Sequence, residues 1–185
     1  INYADGTRHA FTYDAKGNVL TSTDRAGHAW TYTYNDRGQE LTATNPLGGT
    51  TTNTYNADAT QASRTDSDTG TTTYGYDTYK RLNLVTYPDA STVRMVYDKK
   101  DRLTSMTDEL NRTTTFTWDA NGNLIKLTDS EGGEVLFEYD LMDRLVKTTN
   151  RLGAASTRTY DRLSRLAGMA DTTGVKVAYQ YNSRG

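Results

Sequence analysis

Asp108-Glu-Leu-Asn111-Arg112-Thr113-Thr-Thr115-Phe116-Thr117-Trp118-Asp119-Ala-Asn-Gly122-Asn-Leu124-Ile-Lys-Leu127-Thr128 is one complete unit of the pattern that fills this 185-residue chain. It holds two turn signatures, Asp108 to Asn111 and Asp119 to Gly122. Each is an Asx followed three residues later by a residue that tolerates the left-handed region, the pattern of a type I turn closed by a left-handed residue. Between the turns Phe116 and Trp118 alternate with Thr113, Thr115 and Thr117, which is strand periodicity with one aromatic and one threonine face. The segment from Leu124 to Thr128 is a second strand. One unit is therefore a β-hairpin plus the turn that leads to the next.

The Trp118-Asp119 pair recurs at an unbroken spacing of 21 residues, as Tyr13-Asp14, Tyr34-Asn35, Tyr55-Asn56, Tyr76-Asp77, Tyr97-Asp98, Tyr139-Asp140, Tyr160-Asp161 and Tyr181-Asn182. Self-similarity at a fixed period of this size is the signature of a repeat architecture. Units begin at residues 3, 24, 45, 66, 87, 108, 129, 150 and 171, the last of them incomplete, so one array over 1–185 is expected. Turn glycines follow the anchors at Gly17, Gly38, Gly122 and Gly185, while Asp101 and Asp143 stand at the strained position elsewhere. Both prolines, Pro46 and Pro88, take the second position of the other turn, where a φ near −65° is wanted.

The second strands are marked by Leu82, Leu103, Leu124, Leu145 and Leu166 and close on Thr23, Thr44, Thr65, Thr86, Thr107, Thr128 and Thr149. Strict alternation fails inside them, because Leu103 and Met106, or Leu124 and Leu127, lie three apart. A bulge or tilt is expected there. The third unit departs from the pattern, with Asn53 for an aromatic and Ala59, Gln61 and Ala62 for the usual Gly and Leu, and its hairpin is expected to be the weakest.

Two strands per unit predict about seventeen strands, and a sheet beyond roughly ten strands curls, splits or closes. The fold class is thus all-β: tandem 21-residue antiparallel hairpins in a large curled or spiralling sheet. Hydrophobic residues make up only 35% of the chain and mean hydropathy is −0.79, but fourteen Tyr, two Trp and three Phe are too many aromatics for a disordered polar segment. A net charge of −2 with interspersed signs provides no broad positive field for nucleic acid. No apolar run approaches a membrane span, so membrane insertion is not expected. The absence of cysteine excludes disulfides and thiolate chemistry.

Tyr-Asp-x-x-Gly-x-Leu at a period of about 21, followed by Thr-Asp-x-x-Gly, resembles the Rhs or YD-repeat family over the whole chain. That family includes bacterial Rhs polymorphic toxins, the cocoon-forming subunits of Tc toxins, cell-wall-associated repeat proteins and teneurins. The resemblance implies a β-sheet spiralling into a hollow shell that, in the toxins, encloses a C-terminal effector, and with it a secreted or cell-surface, bacterial setting. The shell-ending self-cleavage motif of the toxins contains Asp-Pro, which does not occur in this chain. Self-proteolysis is therefore not assigned, and the chain reads as a fragment without capping elements.

No catalytic, cofactor or metal site is expected. Asp66-Ser67-Asp68 resembles the opening of a calcium loop, but Gly70 comes one place early and no bidentate Glu follows at the required distance. His9 and His28 lack a metal-ligand spacing. The functional residues are structural: the nine Tyr/Trp-Asx anchors and the turn glycines. Arg81, Arg102, Arg144 and Arg165, five residues past their anchors, suggest ladder salt bridges along the array. The function read from this is a segment of a shell that contains an effector, with the rest of the shell and its cargo as partners. Self-association through free sheet edges is also expected. The alternative is a carbohydrate- or cell-surface-binding repeat module, since aromatic faces stack on sugars. The repeated pairs speak against it, because nine side chains in register are what sheet packing itself requires.

Overall fold

The computed structural model describes residues 1, 3, 6, 8–174 and 176–182. By their internal contacts they form two compact units, Ile1–Val93 and Arg94–Gly185. The first contains β1 (Ala10–Tyr13), β2 (Val19–Thr23), β3 (Ala29–Tyr34), β4 (Glu40–Thr44), β5 (Thr50–Tyr55), β6 (Gln61–Asp66), β7 (Gly70–Tyr76) and β8 (Leu82–Thr86). β9 (Thr92–Tyr97) begins in the first unit and ends in the second, which continues with β10 (Leu103–Thr107), β11 (Thr113–Trp118), β12 (Leu124–Thr128) and β13 (Glu134–Tyr139). β14 (Leu145–Thr149), β15 (Ala155–Tyr160), β16 (Leu166–Asp171) and β17 (Lys176–Ala178) complete it. The seventeen strands of the described residues match the number predicted from the repeat, and these residues contain no helix.

Within each unit every strand pairs antiparallel with its neighbours in sequence, β1 with β2 through to β7 with β8, and β9 with β10 through to β16 with β17. The all-β hairpin array is thus as the sequence predicts. The strands are built from threonine, aromatic and β-branched residues, which suit a pleated and half-exposed surface.

Turn chemistry fixes each hairpin. At the first anchor the Gly17 N–H donates to the Asp14 carbonyl at 3.2 Å, and the Asp14 carboxylate accepts the N–H groups of Lys16 at 2.8 Å and Asn18 at 2.9 Å. Gly17 takes φ 88°, a region that costs a residue with a Cβ about 1 kcal/mol or more. Asp101, Asn111 and Asp143 occupy the same left-handed region with φ of 61°, 59° and 57°, as do Ala59, Lys80, Ala90 and Ser164. Pro46 and Pro88 follow the carbonyls of Asn45 and Tyr87 that close their turns onto Gly48 and Ala90. The turn expected from Asn182 to Gly185 runs beyond the described residues.

The predicted irregularity is a bulge, and among the described residues it falls at the same place in all eight hairpins closed by an anchor turn. Tyr13 pairs with Val19 but Thr12 pairs with Thr21, so Leu20 is the extra residue; Trp118 pairs with Leu124 and Thr117 with Lys126, leaving out Ile125. Directly paired residues share a face. The extra residue therefore brings Leu124 and Leu127 to the face of Phe116 and Trp118, although they lie three apart. The opposite face is a hydroxyl face, on which Thr12 bonds Thr21 at 2.7 Å, Thr33 bonds Thr42 at 2.6 Å and Thr107 bonds Thr113 at 2.8 Å.

Neither face is covered. Among the described residues no hydrophobic side chain is fully buried, and the one buried polar residue is Asn53, 5% exposed. Side chains pack beside one another on one face instead of between layers, as His9 on Phe11 at 4.7 Å and Phe11 beside Tyr13 at 6.4 Å between ring centroids.

Candidate functional site

The anchors form a seam between repeats. Tyr55, Tyr76, Tyr139, Tyr160 and Tyr181 each donate a phenolic O–H to a main-chain carbonyl fifteen residues earlier, on Glu40, Gln61, Leu124, Leu145 and Leu166, at 2.7 to 3.0 Å. Trp118 makes the same bond with its indole N–H, to the Leu103 carbonyl at 2.7 Å. The acceptor in each case is the residue beside the bulge of the preceding hairpin. An aromatic ring can thus lie over its neighbour while its polar tip is satisfied by backbone. Burial raises the hydroxyl pKa of Tyr34, Tyr55, Tyr76 and Tyr139 above the usual value.

The Asx residues that follow are committed to their own turns. Asp98 and Asp140 accept two backbone N–H groups through one oxygen, from Lys100 and Arg102 and from Met142 and Arg144. The other oxygen meets Arg102 and Arg144 at 2.7 and 2.6 Å. These arginines, first, and the backbone N–H groups after them hold the two carboxyls below their ordinary pKa of 3.8. Asp14 is lowered first by its bond to the Asn18 amide, and Asp119 first by the Asn123 backbone N–H. Asn35 and Asn56 serve as neutral equivalents, bonding Gln39 and Thr60 through their side chains.

The recurring arginines differ from the expectation of ladder salt bridges. Arg81, Arg102, Arg144 and Arg165 pair with the Asp four residues before them, inside one turn. The loop is tight enough to bring both ends of its own side-chain pair together, so the nearest carboxylate is the local one. What three of them send to the next repeat is the guanidinium face: Arg102 lies 5.8 Å from the Trp118 ring, Arg144 4.7 Å from Tyr160 and Arg165 4.3 Å from Tyr181, while Arg81 lies 5.0 Å from Tyr79 in its own turn. Arg102 also donates to the Asp119 carbonyl at 2.8 Å. Ion pairs between repeats exist elsewhere, from Arg151 to Asp129 and Glu131 and from Lys16 to Asp36.

The third repeat keeps its hairpin and its bulge, with a hydrogen-bonded cluster where others have a ring. Asn53 donates to the Glu40 carbonyl at 3.2 Å and accepts from the Gln61 amide at 2.9 Å, while Tyr55 donates to the same carbonyl at 2.8 Å. Sequence reading missed this cluster and the carbonyl acceptors. The cluster was signalled by Asn53, Gln61 and Glu40 departing together from the repeat; the acceptors are backbone atoms and carry no residue signature.

The residues weighed and set aside as metal ligands have structural partners. His9 stacks on Phe11 with ring centroids 4.7 Å apart, and His28 bonds Asp24 at 3.0 Å. Asp66 accepts the Asp68 N–H at 3.1 Å and the Thr51 hydroxyl at 3.2 Å. Side chains committed in this way define a class before they define a reaction: a tandem-repeat β-protein whose recurring residues hold one hairpin to the next.

Comparison with known proteins places the chain within that class. The profile of the RHS Repeat family matches residues 13–53, 97–134 and 118–155, and the chain belongs to this family. No curated protein matches it. Among solved structures it is similar to a crystal structure of TcdB2-TccC3-TEV, with a TM-score of 0.80 and 14% identity over 100% of this chain and 11% of that one. A crystal structure of TcdB2-TccC3 gives 0.60 and 13% over 98% and 12%. A Tc holotoxin pore from Photorhabdus luminescens gives 0.55 and 18% over 95% and 10%. The chain thus spans about a tenth of the length of the solved chains whose fold it shares.

Proposed function

We propose that this segment is part of the wall of an Rhs-type β-shell, and that its function is containment: a continuous β surface separates a C-terminal toxin or effector from its surroundings. The observation that carries this reading is the seam. Six anchors bond the backbone of the repeat before them, the turn carboxylates close the turns between strands, the described residues bury no hydrophobic core, and the construction extends by adding units. Such a wall excludes solvent by area and does no chemistry itself, so no catalytic role is assigned to its residues. The reading takes the rest of the shell and the enclosed domain as partners, treats 1–185 as one array, and sets the protein outside the producing cell or at its surface. The family and the Tc toxin folds support it.

Mass spectrometry of the protein purified from its native source tests this. A parent chain of many more repeats, with a C-terminal piece that stays bound, is the expected result. A short parent free of cargo would remove the purpose of a shell.

A further inference from the structure

One turn in the second unit carries a motif that the repeat does not require. Glu109-Leu110-Asn111-Arg112-Thr113 contains Asn-x-Thr with a residue other than proline between, the acceptor pattern of N-linked glycosylation, and the pattern occurs nowhere else in the chain. Bacterial oligosaccharyltransferases read in addition a carboxylate two residues before the Asn, which Glu109 supplies. The turn by itself asks only for a residue that accepts the left-handed region. In the equivalent slot stand Gly27, Gly48, Gly132, Gly153 and Gly174, and Asn111 meets the need with φ 59°. That need does not account for Glu109, the single acid in its slot of the repeat.

The structure presents the motif to solvent with its acceptor atom unengaged. The turn between β10 and β11 closes through backbone and Asp108: the Asn111 N–H donates to the Asp108 carbonyl at 2.9 Å, and the Asp108 carboxylate accepts the N–H groups of Leu110 at 3.0 Å and Arg112 at 2.9 Å. The Arg112 guanidinium is held on the same carboxylate at 2.7 Å. None of these bonds uses the Asn111 side chain. Asn35, Asn45 and Asn150 differ, since each gives its side-chain oxygen to a backbone N–H of its own turn. Among the described residues no hydrogen-bond partner meets the Asn111 amide. Glu109, Leu110 and Asn111 are all exposed, and the Thr113 hydroxyl, bonded to Thr107 at 2.8 Å, keeps capacity for a further bond. This turn lies at the end of β11 opposite Trp118, so a group attached here stays clear of the Trp118 bond to Leu103.

We propose that Asn111 is an N-glycosylation site, with a lipid-pyrophosphate-linked oligosaccharide as the donor. The Asn111 amide nitrogen forms the new bond to the anomeric carbon of the sugar. The bond from that carbon to the pyrophosphate oxygen breaks, the lipid pyrophosphate leaves, and a base of the transferase takes the proton the nitrogen loses. Thr113 and Glu109 are the residues the transferase reads on either side. The proposal rests on the containment reading only for its setting outside the cytoplasm, where such transferases act.

The purified chain is incubated with a bacterial oligosaccharyltransferase and its lipid-linked oligosaccharide, with a short acceptor peptide as the control of enzyme activity. Tandem mass spectrometry is expected to find one glycan per chain, on the peptide that contains Asn111. Asn111→Gly, which restores the usual residue of the slot, and Thr113→Val should each lose it while the circular-dichroism spectrum stays that of the parent, and Glu109→Gln should lose most of it. Modification of the control peptide but not of the chain, or a glycan retained in Asn111→Gly, would overturn the proposal. So would an unmodified Asn111 in the exported protein from its native source. A short parent free of cargo, which ends the containment reading, leaves these results unaffected.

Discussion

The hydroxyl of Tyr160 donates to the main-chain carbonyl of Leu145 at 2.8 Å, and the same bond joins Tyr139 to Leu124 at 3.0 Å. Because the acceptor belongs to backbone, its position is fixed by the hairpin itself and does not depend on which side chain the previous repeat carries.

Removing only the hydroxyl isolates that bond. Tyr160→Phe is expected to lower the unfolding free energy by about 1 kcal/mol, the net worth of one such bond. Tyr160→Ala, which also removes the ring beneath Arg144, should cost roughly 2–3 kcal/mol. Urea unfolding of the two variants checks both, and equal losses would place the whole effect in the hydroxyl.

Ala59 occupies φ 72°, where other repeats place Gly or a polar residue. Ala59→Gly is expected to stabilise the protein by about 1 kcal/mol, and Gly122→Ala, at φ 100°, to destabilise it by a similar amount. Midpoints of chemical denaturation read the two signs directly.

Asn53 is buried and bonded to Glu40 and Gln61. Asn53→Ala leaves the Gln61 amide only the Ser63 carbonyl at 3.5 Å and should cost about 2 kcal/mol. Amide hydrogen exchange is expected to show the loss concentrated in β5 and β6.

The turn carboxylates make stability depend on acid. Arg102 beside Asp98 and Arg144 beside Asp140 depress these groups below 3.8 in the folded chain. Their contribution is complete above the unfolded value and is lost as pH falls through the lower folded value. The urea midpoint should therefore hold level from neutral pH toward 4 and drop below it, about as the ordinary carboxylate pKa requires. Asp140→Asn should flatten that drop. The anchors act in the opposite sense: burial raises Tyr76 and Tyr139 above 10.0, so their contribution is present below that value and lost as pH rises through the folded one.

Much of this architecture was legible because a 21-residue period repeats the same evidence. Strand parity at Phe116 and Trp118, the Asx-to-Gly turns and the misfit between Leu124 and Leu127 located the hairpins, the loops and the bulge before any coordinates. Interactions carried by backbone atoms stayed hidden, as at the Leu145 carbonyl, since a carbonyl has no letter in a sequence. The arginines misled for a related reason. Arg144 and Asp140 are visible as a pair, but whether a four-residue separation closes within a turn or reaches across to the next one depends on φ and ψ.

The extra residue at Leu20, Ile125 and their counterparts has a consequence for how such a chain can change length. Twenty-one is odd, and strands alternate sides every residue, so plain hairpins of this period would turn successive anchors up and then down. One added residue per unit restores the phase, and Tyr139 emerges on the side of Trp118. Whole units can accordingly be gained or dropped with no effect on their neighbours. Deleting Ile125 alone would act like a frameshift in a message: it would leave its own hairpin nearly intact and invert every anchor downstream.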